Sequence, residues 1–271
     1  MYFADACQNT FLILLGASHA VDVCAAQIVH RPESWSFDSI LALSHRADGG
    51  VSMRVIEQDG SESCMCGNGA RAVGCLLDQL GMARRIQLQD GNELVIERTV
   101  DGFYSVPMGP TKSRGEYHPR DSRLRLPKFT LYSACGEPHA VVKVPCVKQV
   151  DLSSWGQLIV PHANCTIVSR DLEGRILART YERGVNRETQ SCGTGATSAA
   201  QMLLDNEGSQ DHSPTEKTML VRMKGGLLRI RVVPGRGSFL EGPAQVSETL
   251  PISISSLALT KASQPFVLNP A

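Results

Sequence analysis

One short pattern occurs twice in this chain, and any fold that accommodates it must be built from two like halves. Met65-Cys66-Gly67-Asn68-Gly69-Ala70-Arg71 and Ser191-Cys192-Gly193-Thr194-Gly195-Ala196-Thr197 each set a cysteine directly before a Gly-x-Gly-Ala turn. The segments downstream of the two turns repeat as well. From Gly69 the residues Ala72, Val73, Leu76, Leu77 and Leu80 form an apolar stripe at helical spacing that stops at Gly81; after Cys192, Ala199, Ala200, Leu203 and Leu204 do the same towards Gly208. Strand-like stretches come next, at 85–89, 93–98 and 103–106 in the first half and at 218–223, 227–233 and 239–240 in the second. Asp90-Gly91, Asp101-Gly102 and Lys224-Gly225-Gly226 separate them as turns, and each unit closes on Gly-Pro, at 109–110 and 242–243. Repetition of this order predicts two similar α/β domains.

The remaining segments fit around these units. Residues 2–15 are rich in strand formers but broken by Gln8-Asn9-Thr10, a loop or a ligand contact. Val21, Cys24, Ala25 and Ile28 share one face of a helix over 19–30, and 40–43 and 51–56 read as strands. The stretch 112–128 is basic, contains Pro119 and Pro127, and is read as the connection between domains, with room for an edge strand. Strands recur at 139–144, 164–169 and 175–181. The division expected is residues 1–115 plus about 252–271 for the domain of Cys66, whose apolar tail packs back, and 116–251 for the domain of Cys192.

Bulk properties narrow the function. A net charge of zero argues against a nucleic-acid-binding face. The start, Met1-Tyr2-Phe3-Ala4-Asp5-Ala6, lacks a basic n-region, and the apolar run 11–15 is too short to span a bilayer, so the cytoplasm is the expected compartment. Nine scattered cysteines do not resemble a secreted disulfide framework. Cys64, Cys66 and Cys75 match no ordinary zinc spacing, so no metal is expected.

The chemistry comes from the two cysteines. A thiol at a helix N-terminus meets unpaired N–H groups and the positive end of the helix dipole, which push it towards thiolate and can also hold a carboxylate. Inverting an α-carbon requires a base on one face and an acid on the other, with the developing charge held by fixed dipoles; without a cofactor as electron sink, two such cysteines suffice. A rival reading starts from Gly67-Asn68-Gly69-Ala70-Arg71-Ala72, which fits the loose dinucleotide pattern G-x-G-x-x-A of an NAD-binding oxidoreductase. The preceding Asp59-Gly60-Ser61-Glu62-Ser63 is not the apolar strand that pattern needs, and Ser198 breaks it in the second copy.

These residues resemble the diaminopimelate epimerase family, the pyridoxal-phosphate-independent epimerases with two catalytic cysteines. The likeness is densest at 59–62, 65–71, 138–141, Tyr181-Glu182-Arg183-Gly184 and 188–195, and the Glu-Arg-Gly element with Cys-Gly-Thr-Gly favours this branch over the related proline racemases. The resemblance implies an α+β fold of two pseudo-symmetric domains, each a central helix wrapped by a curved, mainly antiparallel sheet, with the active site between them. It implies acid–base roles for Cys66 and Cys192, with His139 as partner of Cys66 and Glu182 as partner of Cys192. The backbone at Gly67-Asn68 and Gly193-Thr194 would hold the α-carboxylate, and Asn9, Asn164 and Arg183 would contact the substrate. No cofactor is implied; the expected partner is a small-molecule amino-acid substrate, and a homodimer is compatible.

Departures from the family pattern bear on substrate. Family members usually carry asparagine where this chain has Glu57 and Glu137, and those asparagines help to hold the far carboxylate of diaminopimelate. Two glutamates would repel it: at ~4 Å and an effective dielectric near 20, one like-charge contact costs about 4 kcal/mol. The expectation is therefore an epimerase or racemase acting on a different amino acid, one with a cationic side chain. Authentic diaminopimelate epimerase is the alternative, and a ligand-binding relative without catalysis is a third, disfavoured because Cys66, Cys192, His139 and Glu182 are all retained.

Overall fold

An antiparallel strand pair, then a helix that carries the chain over to a parallel neighbour, recurs in both halves of the computed structural model, which describes residues 1–29, 37–117, 126–160, 162–206 and 215–248. In the first half, β1 (Tyr2–Asp5) and β2 (Thr10–Gly16) are joined by a turn in which Cys7 and Gln8 take positive φ. Helix α1 (Ser18–Val29) crosses over and β3 (Ser39–His45) returns parallel to β2. The helix buries Val21, Cys24, Ala25 and Ile28, the face expected from spacing. β4 (Val51–Glu57) and β5 (Glu62–Ser63) lead into α2 (Gly67–Gln79), after which β6 (Arg85–Gln87) and β7 (Glu93–Val95) complete the sheet.

The second half repeats the scheme. After β8 (Glu97–Arg98), β9 (Tyr104–Gly109) and β10 (Lys112–Tyr117) come the antiparallel pair β11 (Phe129–Ala134) and β12 (Glu137–Lys143). The crossover helix α3 (Leu152–Ile159) brings β13 (Asn164–Arg170) parallel to β12. β14 (Ile176–Glu182) and β15 (Arg187–Glu188) precede α4 (Gly193–Asn206), followed by β16 (Lys217–Met223), β17 (Gly226–Val233), β18 (Gly237–Gly242) and β19 (Gln245–Glu248). Among the described residues the strands form two sheets, in the orders β19-β1-β2-β3-β4-β6-β7 and β10-β11-β12-β13-β14-β16-β17-β18-β9-β8, with β5 and β15 attached to β4 and β14. This is the α+β architecture expected, mainly antiparallel but with parallel pairs at β2–β3, β4–β6, β12–β13 and β14–β16.

Two features depart from the sequence reading. The strand 103–106 was expected to close the first unit; instead β9 pairs with β18, Leu240 facing Val106, and lies in the second sheet. Sheet membership changes between Val95 and Glu97 and again between Gly242 and Gln245. Helix α3 was not expected. Asp151 caps it by accepting from the Ser154 N–H at 3.2 Å, and Gly156 presses against the Tyr181 ring, where an added Cβ would lie 2.2 Å from Cγ. The tail expected to pack back, 252–271, lies outside the described residues.

Three apolar clusters hold these layers. α1 covers one face of the first sheet with Leu14, Ile40, Ala42 and Ile56, and α3 covers one face of the second with Phe129, Ala140, Cys165 and Ile167. The largest cluster runs unbroken through both halves and contains the buried sides of α2 and α4. Among the described residues, no helix is long and apolar enough to cross a membrane. Where the chain passes from β18 to β19, the fully buried Arg71 of α2 donates from Nη1 to the Pro243 carbonyl at 2.5 Å and from Nη2 to Asn68 Oδ1 at 2.7 Å. Leaving the buried Asn68 acceptor without a donor costs roughly 1–3 kcal/mol, whereas the carbonyl of the exposed Pro243 loses only the net value of its bond. Arg71→Met is therefore expected to lower unfolding free energy by at least about 1 kcal/mol in urea titration; an unchanged midpoint and slope would contradict the bridging role.

Candidate active site

Each cysteine caps a helix, and the two helices meet at those ends. Cys66 Sγ accepts from the Gly69 N–H at 3.3 Å, and its carbonyl accepts from the Ala70 N–H. Cys192 repeats both bonds, Sγ to the Gly195 N–H at 3.4 Å and the carbonyl to the Ala196 N–H. A side chain in place of Gly69 or Gly195 would come within 3.4 Å or 3.3 Å of its cysteine sulfur, so the glycines let each thiol fold back over its helix. Gly67 and Gly193 serve a different end: an added Cβ would lie 2.7 Å and 2.5 Å respectively from the same Leu240 Cδ2. The Asn68 amide bridges the gap, donating from Nδ2 to the Ser191 carbonyl at 3.0 Å and to Asn9 Oδ1 at 3.2 Å. Four sequence-predicted residues, Cys66, Asn68, Cys192 and Asn9, are thus assembled at one point, with the first-turn N–H groups of both helices directed there by helix geometry.

The thiols are not the ready thiolates that their helix ends suggested. Cys66 is partly exposed as a residue, yet the protein packed around its sulfur pushes its pKa up to about 12. The Gly69 N–H and Arg71 oppose that shift, and the Glu57 and Glu182 carboxylates add to it. Cys192, 4% exposed, is pushed well above its ordinary value by burial and then by Glu182. A helix terminus supplies about 1 kcal/mol, and one pH unit is worth about 1.4 kcal/mol, so the dipole cannot offset burial on this scale.

Glu182 ends β14, accepts from the Thr189 hydroxyl, and lies near enough to the Cys192 thiol for each to shift the other's pKa. Burial raises its carboxyl to about 6, with Glu57 and Glu137 contributing in the same direction. His139 is fully buried on β12. Its Nδ1 lies 2.9 Å from Thr166 Oγ1, and its Nε2 lies 2.9 Å from Thr194 Oγ1 and 3.2 Å from Asn164 Nδ2. Because Asn164 Oδ1 accepts from the Arg183 N–H at 2.8 Å, its Nδ2 must be the donor to Nε2, which leaves the ring proton on Nδ1. Thr194 Oγ1 in turn is 3.4 Å from Cys192 Sγ. A chain of polar hydrogens therefore joins Cys192 through Thr194 to a neutral imidazole. Among the described residues, no hydrogen bond joins His139 to Cys66, its expected partner.

The two unexpected glutamates have separate settings. Glu57, at the end of β4, accepts from Ser39 Oγ at 2.8 Å and Ser63 Oγ at 2.7 Å. Glu137 pairs with Arg183 at 3.0 Å, both partly exposed. Sequence reasoning missed Ser39, Ser63, Thr166, Thr189 and Leu240. Ser63 and Thr189 had a usable signal, since each stands three residues before a cysteine of the repeat; Leu240 had none. Among the described residues, no group of three or more His, Cys, Asp or Glu side chains is placed to hold a metal ion.

No family model matches the chain. In sequence it is similar to the diaminopimelate epimerase of Psychrobacter arcticus, 32% identical over 232 residues that cover 76% of this chain and 77% of that protein. It is similar also to the diaminopimelate epimerase of Laribacter hongkongensis, 29% identical over 262 residues, 87% of this chain and 92% of that protein. Its fold is similar to those of a PhzF-family phenazine biosynthesis protein from Bacillus anthracis (TM-score 0.67, 14% identical, covering 92% of this chain and 98% of that one) and a hydroxyproline epimerase from Agrobacterium vitis (TM-score 0.65, 14% identical, covering 91% of each).

Burial lowers the His139 pKa to about 3, helped by the Arg183 charge, so its imidazole is neutral throughout the range in which a free histidine titrates. Nitrogen-detected NMR of the side chain is expected to show a constant Nδ1–H tautomer between pH ~5 and ~8. A titration near the ordinary value would contradict the assigned network.

Proposed function

The chain belongs to the diaminopimelate epimerase family and is a racemase or epimerase, and from that premise we propose that it inverts the α-carbon of an amino acid by direct proton transfer between Cys66 and Cys192. The observation that carries this reading is the meeting of two cysteine-capped helix N-termini across Asn68 and Ser191. The substrate carboxylate lies on the N–H groups of Gly67, Asn68, Gly193 and Thr194, which also hold the charge that builds up when the α-proton leaves. One sulfur, as thiolate, takes that proton, and the opposite thiol delivers its own to the other face. The roles exchange when the other enantiomer is bound. Glu182, ionised above about pH 6, accepts the Cys192 proton when that sulfur must act as base, and the Thr194 hydroxyl, held by the neutral His139, stays within reach of that sulfur. Asn9, Asn164 and Arg183 contact the remainder of the substrate.

The charges around the cleft favour a cationic side chain. The Glu57 and Glu137 charges both act on the Glu182 carboxyl, and the Arg183 side chain is engaged by Glu137. A carboxylate brought to Glu57 would meet repulsion of about 4 kcal/mol at ~4 Å, and an ammonium or guanidinium would gain a comparable attraction. A second reading, LL-diaminopimelate itself, is favoured by the 32% identity to an enzyme of that name.

Incubation with lysine, ornithine, arginine, histidine and LL-diaminopimelate in deuterated water under reductant distinguishes these readings by α-deuterium incorporation. Exchange into the basic amino acids is expected to exceed that into LL-diaminopimelate, and Cys66→Ser or Cys192→Ser should each slow it by at least ~100-fold. Efficient turnover of LL-diaminopimelate with none of the others would overturn the substrate assignment. Near-normal rates in either serine variant would overturn the two-thiol mechanism.

A further inference from the structure

The strand registers relate the two halves of the site residue by residue. Ser39 faces Glu57 across β3 and β4, while Cys165 faces Tyr181 across β13 and β14, which sets Asn164 opposite Glu182. Ile56 faces Glu62 across β4 and β5, and Tyr181 faces Glu188 across β14 and β15. Glu57 is therefore the counterpart of Glu182, and Ser63 the counterpart of Thr189. The counterparts also behave alike. Ser63 Oγ donates to Glu57 Oε1 at 2.7 Å, and Thr189 Oγ1 donates to Glu182 Oε1. Each hydroxyl stands three residues ahead of its cysteine. The match fails at one place: β2 and β3 pair Phe11 with Ser39 where β12 and β13 pair His139 with Asn164. Phe11 cannot exchange a proton, so the repeat leaves Glu57 as the titratable side chain on the Cys66 side.

We propose that Glu57 is a positioning residue for Cys66, standing to that thiol as Glu182 stands to Cys192, so that the cleft holds two carboxylate–thiol pairs related by the internal repeat. This rests on reading Cys66 and Cys192 as the acid–base pair. The charged groups acting on Cys66 come from three elements: Glu57 of β4, Glu182 of β14 and Arg71 of α2. The glutamates oppose ionisation and the arginine favours it. The Glu57 charge therefore adds to burial in holding Cys66 as a thiol and makes its thiolate a stronger base once formed. A substrate cation set against Glu57 cancels that charge and removes its share of the opposition to ionisation. One carboxylate thus selects a cationic substrate and couples its arrival to readiness of the base.

Alkylation by iodoacetamide at mildly alkaline pH, with Cys66 and Cys192 quantified separately by peptide mass mapping, tests this without any substrate. Lowering a thiol pKa by one unit gives about tenfold more thiolate, and the accompanying loss of nucleophilicity leaves a rate gain of about threefold. Glu57→Gln and Glu57→Asn are each expected to speed Cys66 alkylation by about that factor, while the Cys192 rate in the same sample stays constant and Glu57→Asp stays near wild type. A Cys66 rate that is unchanged or slower in the neutral variants would overturn the proposal. So would an equal rise at both cysteines, which reports an opened cleft rather than a removed charge. Circular dichroism confirms that each variant compared is folded, and two neutral variants guard against the loss of one. Because alkylation needs no turnover, its failure is distinct from failure of deuterium exchange in the unsubstituted protein.

Discussion

Two helix N-termini carry the same sign of partial charge, so pointing them at each other is unfavourable unless something negative lies between them. Much of this protein is organised around that constraint. The Asn68 amide and the Ser191 carbonyl occupy part of the gap, and Arg71 holds Asn68 by its other end. Leu240 fills the space behind, against Gly67 and Gly193, so that both turns are fixed to one side chain of β18. Two sheets that exchange strands, with β9 and β18 paired and β19 returning to β1, keep the ends in register. The arrangement favours an anion such as a carboxylate, and it brings a sulfur from each half to that point.

Burial then decides the state of those sulfurs. A helix end alone would favour thiolate, but both thiols are desolvated and faced by carboxylates, and both are raised. For proton transfer this is useful. An acid must hold its proton until the α-carbon needs it, and the conjugate thiolate of a weak acid is a strong base. The cost is that a thiolate has to be generated on demand. Around Cys192 that role can fall to Glu182, whose own carboxyl is raised to about 6.

What was legible in sequence was whatever repeats or has a short period. The buried face of α1 followed from Val21, Cys24, Ala25 and Ile28, and the repeated Cys-Gly-x-Gly-Ala located α2 and α4. The transfer of β9 to the second sheet was not legible, because alternation marks a strand but not its neighbour. Helix α3 was missed because eight residues with Gly156 inside give little periodic signal, and its stability comes from packing on β13 and β14. At the site, Cys66 and Cys192 were found by their turns. The surroundings of His139 could not be found that way, since Thr166 and Asn164 reach it only through strand pairing, with Thr180 behind Thr166.

The central claim is that two sulfurs, one on each face, invert a single carbon. Its most direct test is the fate of solvent deuterium early in the reaction of one pure enantiomer of a turned-over amino acid. With a separate acid and base, the inverted product carries deuterium while the remaining starting enantiomer still carries protium at its α-carbon. If deuterium entered both enantiomers at equal rates from the outset, one group would be serving both faces, and the two-thiol account would be contradicted.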